Sequence, residues 1–410
     1  MNVDDMLKDA LREQADGVGP APADFADRVL GVRRKRRGRT VAGAAVAAAA
    51  VVAGALVVPQ IGGGEDVRPA GVTGTADVIA HPDQSPPKDV IAAGRTALAS
   101  FSTTKQVVFK DGDGEMVRTY GVLDPTTKTY RKAAGWAWLD VAPGLRTAAV
   151  LEKDLPARRI GLLDLATNKV TRWIPVARGA AGVEFSPDGS KLVATTYKKD
   201  PDRLHKENKV SDGKKTYPGS GPSTRTGYSV IDVKSGKGTW FAAPSNEEAF
   251  GNAREDAYFS PDGKLVGVFT EGGFDNDSTL KYYDLAGKEV ATPANLRHLL
   301  GWIGAASLSP NGKLVAGDFA GKGKEIAVAV NDAVTGERTD KLPAQQILGW
   351  ADDKRVIAWG CDPKKCDGKG EFRNQLLLVT LGTHKVVPLS DFRKASAAYP
   401  GRWSPEFTTR

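Results

Sequence analysis

Four histidines and two cysteines are the side chains of this 410-residue chain best suited to metal or nucleophilic chemistry. His81, His205, His298 and His384 lie far apart, no two at a metal-ligand spacing, and H-E-x-x-H is absent. G-x-S-x-G is absent too, so the strained-turn serine chemistry of that motif is not expected. Cys361 and Cys366 sit in GCDPKKCDGKG, across an Asp-Pro turn. A metal site there would need two further soft ligands, and none is near in sequence. A disulfide pinning a loop between two strands is the favoured reading, worth about 2–3 kcal/mol in the chain-entropy picture for so short a loop. Lys110–Glu115 (KDGDGE) and Asp275-Asn276-Asp277 hint at calcium. Neither has EF-hand spacing, and tight hairpins with acidic turn residues account for both. No catalytic residue, cofactor or metal is expected on these grounds.

The elements that position these residues follow from a recurring phrase. Ser186-Pro187-Asp188-Gly189, Ser260-Pro261-Asp262-Gly263 and Ser309-Pro310-Asn311-Gly312 each sit between alternating apolar runs, and Val141-Ala142-Pro143-Gly144 is a worn copy upstream. Proline presets φ in such a turn, Asp or Asn bonds back to the local backbone, and glycine takes positive φ at little cost. The starts lie 45, 74 and 49 residues apart, the period of radial or stacked repeats. Each copy is followed by a second hairpin: IGLLDLATNKVTRW, YSVIDVKSGKGTW, LKYYDLAGKEVAT, IAVAVNDAVTGERTDKL and LLLVTLGTHKVVPL. Two hairpins per repeat make four strands, which cannot bury both faces alone and must be iterated.

The chain resembles the bacterial WD40-like propellers of the TolB type, whose blades carry FSPDG-K-[LI]-[VA] followed by a DLATGK-like hairpin. The resemblance spans roughly residues 90–408. It implies an all-β fold, a β-propeller of four-stranded blades, and says little about function. No consistent Gly-His…Trp-Asp pair is present, so the eukaryotic WD40 blade is the poorer match. Units near 97–132, 135–178, 180–243, 254–293, 300–343 and 345–390 make six blades, or seven if 88–132 divides differently. The tail AAYPGRWSPEF reads as one more first strand that closes the ring on the amino-terminal unit. Residues 198–226 lack apolar periodicity and read as a mobile surface insertion. Eight tryptophans, mostly at strand ends, are expected to pack between blades.

The amino-terminal part sets the expected location. Residues 41–58 are eighteen uncharged, mostly apolar residues, enough with their flanks to span a hydrocarbon core of roughly 30 Å. Arg33, Arg34, Lys35, Arg36, Arg37 and Arg39 precede them and hold the amino end inside. The expected order is a short cytoplasmic helical tail (1–39), one transmembrane helix (40–58), a flexible linker (59–89) and an extracytoplasmic propeller (90–410). A cleaved signal peptide is the rival, disfavoured by its long charged region and long apolar core. An exported domain would keep the cysteine pair oxidised.

In the tail, Leu7 and Leu11 lie on one amphipathic stripe, and Phe25 and Val29 on a second. The pattern resembles the amino-terminal ends of actinobacterial membrane proteins associated with alternative sigma factors, which implies a cytoplasmic regulator as partner. The zinc-binding His and Cys of many anti-sigma domains are missing. Net charge is +8, of which nine basic and seven acidic side chains fall in residues 1–39. The rest is too dilute for nucleic acid. The expected function is a non-enzymatic, membrane-anchored scaffold that binds a protein or envelope ligand on the propeller face. The alternative is a lyase- or glycosidase-type enzyme with carboxylates or histidines at a central channel.

Overall fold

The computed structural model describes residues 76–211, 215–245, 254–269, 280–299, 307–322, 325–361, 374–393 and 402–410. The chain divides into Met1–Asp66 and Val67–Arg410, and the described residues all belong to the second unit. Leu7, Leu11, Phe25, Val29, the arginine run, residues 41–58, Asp275–Asp277, Trp302 and Cys366 lie outside them. Among the described residues no helix is long and apolar enough to cross a membrane.

The described part is all-β, built of antiparallel sheets. β3 (Thr96–Val108), β4 (Gly114–Leu123) and β5 (Tyr130–Ala133) pair in succession, and β3 also pairs the last strand, β26 (Trp403–Thr409). β6 (Trp136–Val141), β7 (Thr147–Glu152) and β8 (Ala157–Asp164) lead into the 17-residue β9 (Lys169–Phe185). β9 serves twice. Its first half pairs β8, and its second half pairs β10 (Lys191–Tyr197), which continues through β13 (Arg225–Asp232) to β14 (Gly238–Ala242). Two repeats thus fuse into one seven-stranded sheet. The next sheet runs β15 (Tyr258–Phe259), β16 (Leu265–Phe269), β17 (Leu280–Asp284), β18 (Glu289–Val290). β19 (Leu314–Phe319), β20 (Val328–Asp332) and β21 (Arg338–Leu342) follow, with Leu308 bridging to Val315 on their inner side. The last sheet is β22 (Gln346–Asp352), β23 (Arg355–Gly360), β24 (Gln375–Thr380), β25 (Val386–Pro388).

Apolar clusters lie between consecutive repeats. Val122 of β4 packs with Leu139 and Val150. Leu151 and Ile174 pack with Val183 and Leu192. Val193 and Tyr228 meet Phe259 and Val266. Tyr282 meets Leu308 and Val315. Val330 meets Ile347 and Val356. Ile357, Trp359 and Leu376 then meet Leu98 and Trp403, in the sheet where the succession began. The sheets therefore close into a ring, a β-propeller. Each fully buried Leu, Ile or Phe at these seams contributes about 1.5–3 kcal/mol.

The recurring turn has a consistent structure. The buried Ser186 hydroxyl donates to Asp188 at 2.5 Å and accepts the Lys191 N–H at 2.9 Å. Ser260 does the same with Asp262 (2.6 Å) and Leu265 N–H (2.9 Å), and Ser309 with Asn311 and Leu314 N–H, both at 2.9 Å. Gly189, Gly263 and Gly312 take φ of 72°, 69° and 72°. The hydroxyl bond holds the Asp188 carboxyl below its ordinary range. The worn copy falls one residue later than its sequence suggests. Ala142 takes the serine position, and the buried Leu145 takes the glycine position at φ 59°. Packing of Leu145 at the first seam offsets the cost of that conformation.

Two expectations need correction. Residues 76–89 belong to the ring although the sequence places them in the linker. β1 (Val78–Ile79) and β2 (Ala92–Ala93) extend the first sheet, His81 bridges to Ser390, and Asp77 pairs with Arg355 at 2.5 Å. The partners of His81 and Asp77 are remote in sequence, and β1 is only two residues long, so no local period announces them. The stretch 198–226 is likewise structured over its described residues. β11 (Arg203–Ser211) and β12 (Thr216–Ser220) form a hairpin whose first strand pairs β4, with Arg203 opposite Glu115 and Leu204 opposite Gly114. It is a strap that leaves the sheet of β10 and β13 and docks on the sheet of β4.

Candidate functional site: the central channel

The inner strands β6, β9, β22 and β26 line a cavity of about 680 Å³. Pro143, Pro187, Pro261 and Pro310 line it, so the turns at the ends of the inner strands form its rim. Ser186, Asp262, Ser309, Asn311 and Gly312 line it as well, whereas Asp188, Gly189, Ser260 and Gly263 are not among the lining residues. The serines act within the turns, through the bonds described above.

Two residues before the serine position, deeper along each inner strand, the four copies carry Asp140, Glu184, Tyr258 and Ser307. Asp140 and Glu184 line the cavity, joined by Glu406 of β26. Asp140 Oδ2 accepts the Phe185 N–H at 2.7 Å, and Glu184 Oε1 accepts the Phe259 N–H at 3.1 Å. Each acid thus ties its strand to the inner strand of the following repeat. The Glu406 side chain makes no hydrogen bond among the described residues and faces the channel space. Burial raises Asp140 to about 7 against the pull of the Phe185 and Val141 N–H groups. Enclosure by the surrounding inner strands, which weakens solvation although Glu406 keeps access to the channel space, and then the charge of Asp140 raise Glu406 to about 7 and Glu184 well above its ordinary value. Three acids that repel one another in a confined space hold protons that free acids would release.

The opposite end of the inner strands is built differently. Asp202, at the foot of the strap, accepts from Arg118 of β4 (2.5 Å) and from Arg254, which precedes β15 (2.6 Å). Arg254 also pairs with Asp256 at 2.9 Å and donates to the Ala181 carbonyl at 2.8 Å. The Trp138 ring lies under both guanidiniums, at 5.1 Å from Arg118 and 4.2 Å from Arg254, and its N–H donates to the Val183 carbonyl at 2.9 Å. Arg254 and Arg118 hold the Asp202 carboxyl below its ordinary value although burial opposes them. The turns form the rim of the cavity, and this ion cluster lies apart from its lining.

Residues named from sequence separate accordingly. Trp138, Trp359 and Trp403 pack at seams, as expected. Trp350 does so at another, donating to the Ser307 carbonyl at 3.2 Å. Cys361 is disulfide-bonded; the only other cysteine, Cys366, lies outside the described residues. His81, His298 and His384 are not brought to the channel; His384 pairs with Asp340 at 2.8 Å instead. The channel acids were not singled out in the sequence. Their signal is an acidic residue two positions before the turn serine or its equivalent, in the Asp140 and Glu184 copies.

No protein-family model matches the chain, and no curated protein matches it. Among solved structures it is similar to hydrazine synthase from Kuenenia stuttgartiensis (15% identity, TM-score 0.32, covering 63% of this chain and 68% of that one). It is similar to TolB from Acinetobacter baumannii (15%, TM-score 0.35, covering 72% and 65%). It is also similar to the β-propeller domain of Myceliophteria thermophila Cps50 (Swd1) (14%, TM-score 0.34, covering 74% and 89%). The ring assignment rests on the succession of apolar seams in this chain and not on these likenesses.

Proposed function

We propose that this protein is a non-enzymatic binding propeller of six blades, held at the outer face of the cell membrane by residues 40–58, that takes a protein segment or envelope component into its channel. The single observation carrying this reading is the channel cavity with a turn-built rim and one acid, Glu406, whose side chain makes no hydrogen bond among the described residues. Acid–base catalysis of the glycosidase kind uses two available carboxyls. Asp140 and Glu184 are instead committed to backbone N–H groups of neighbouring inner strands, which favours binding over catalysis. A ligand presenting a basic or hydrogen-bond-donating group would complement Glu406. Inside the cell, the stripes of Leu7, Leu11, Phe25 and Val29 would contact a cytoplasmic regulator such as a sigma factor, making the protein a one-pass sensor.

The test is crosslinking from intact membranes with wild type, Glu406→Gln and Pro310→Arg. Pro310 is an exposed rim residue, so an added arginine obstructs the mouth without entering a seam. Loss of the same crosslinked species in both variants, with unchanged far-UV circular dichroism, supports the reading. Crosslinks indifferent to both variants overturn it.

A further inference from the structure

The turn between β3 and β4 and the strap strand β11 each look inert in isolation. The first has acidic residues without EF-hand spacing; the second has a solitary histidine. Folding brings them together. Pairing of Leu204 with Gly114 sets Asp113 beside the strap, and Asp113 Oδ1 accepts the Lys206 N–H at 3.2 Å across 93 positions of sequence. His205 and Glu207 are two residues apart on β11, the spacing that puts side chains on one face of a strand. One ligand atom from each of Asp113, His205 and Glu207 falls within 4.8 Å of the others. Gly221 leaves room for the imidazole, since a Cβ there would stand 3.2 Å from its Cδ2.

Two further contacts define the state of these groups. Among the described residues, the His205 and Glu207 side chains make no hydrogen bond or ion pair. Asp113 is positioned by the Lys206 amide and touched by Arg203 at 3.3 Å. The Arg203 guanidinium also lies over the Phe109 ring, 4.6 Å from its centroid, so it has a resting place when released from the carboxylate. A backbone N–H that fixes a ligating carboxylate is the usual outer support of a metal site.

We propose that Asp113, His205 and Glu207 bind a divalent first-row transition cation of the zinc type, with a solvent-facing fourth position, and that the cation clamps the strap to the β3–β4 hairpin. One imidazole and two carboxylates suit such a cation. Calcium prefers six to eight oxygens and gains nothing from the imidazole. Two carboxylate charges balance the cation once Arg203 has withdrawn.

The test is calorimetric titration of metal-free, full-length protein in detergent micelles with Zn²⁺, followed by Co²⁺ with visible absorption as the readout. Wild type is expected to show one saturable site and a Co²⁺ ligand-field band. His205→Ala should weaken affinity roughly 10-fold or more, since even outer-shell partners carry roughly 10–100-fold. Glu207 is exposed, so Glu207→Gln should fold normally and give a severalfold loss. This second variant keeps the test decisive if His205→Ala does not fold. Failure of wild type to bind Zn²⁺, binding unchanged in Glu207→Gln and His205→Ala, or displacement of Zn²⁺ by equimolar Ca²⁺ would each overturn the proposal.

Discussion

Arg118 and Asp202 form an ion pair of 2.5 Å between β4 and the foot of the strap, with the Asp202 side chain only 6% exposed. Arg254 completes the cluster from the approach to β15, so one carboxylate joins segments from three sheets. Removing it takes the carboxylate from Arg118 in a confined space and leaves Arg254 paired with Asp256. Asp202→Ala should lower unfolding stability by about 3–5 kcal/mol. Asp202→Asn should recover part of that, because it keeps a hydrogen-bond acceptor. Denaturant melts of the three proteins check the order, and an Asp202→Ala variant as stable as wild type would show the cluster to be incidental.

Ring closure depends on the carboxyl-terminal strand. Trp403 is 3% exposed and meets Trp359 edge to face, ring centroids 4.9 Å apart, in the seam shared with Leu98. Its N–H also donates to Ser85 at 3.0 Å. Trp403→Ala should cost about 3–5 kcal/mol. Deleting residues 402–410 bares the edge of β3 and the channel acids of the other strands, so aggregation is expected as well. Size-exclusion profiles and thermal melts of both variants measure the two effects.

The channel acids set a pH dependence with a definite sign. Asp140 titrates at about 7 in the fold against an ordinary 3.8. Between those values the folded state holds a proton that the unfolded chain has released. The contribution is complete below the unfolded value and is lost as pH rises through the folded one. Asp140→Asn is neutral throughout and keeps an oxygen for the Phe185 N–H. It should raise the melting temperature near about pH 8, leave it close to wild type at about pH 4, and flatten the profile between. Glu184 and Glu406 keep some slope. Parallel profiles for wild type and variant would remove Asp140 from the account.

Much of this architecture was legible because its repeats are local. The phrase at Ser186, Ser260 and Ser309 encodes turn, strand and period together, since hydroxyl, carboxyl and glycine all act within a few residues. The closing strand was legible too, in AAYPGRWSPEF, although Ser404-Pro405 lies within β26 and not in a turn. The strap was not, because its strands are held by β4, Asp202 and Arg118, partners that no window of sequence contains. The channel acids were visible as letters and silent as a site. Strand alternation tells which residues share a face, but only closure of the ring tells which face looks into the channel.

The proposed anchor and tail rest on sequence physics, and their test is separate from that of the ring. Arg33, Arg34, Lys35, Arg36, Arg37 and Arg39 stand before the apolar run and favour the inner leaflet side. Protease added to intact spheroplasts should remove the propeller and spare an amino-terminal tag. A soluble, secreted propeller lacking residues 1–55 would establish a cleaved signal peptide instead. If the tag is protected, residues 1–39 can be presented as bait within the full chain, comparing wild type with Leu7→Asp and Phe25→Asp. Each substitution places a charge on one apolar stripe, so a partner held by both stripes should be lost from either variant. Retention of one cytoplasmic protein by wild type alone marks the tail as a docking element and makes outside-to-inside coupling the working description. A single span transmits little by itself, so clustering or regulated proteolysis would then carry the signal. Equal retention by all three, or none, reduces the protein to an anchored extracytoplasmic binding ring.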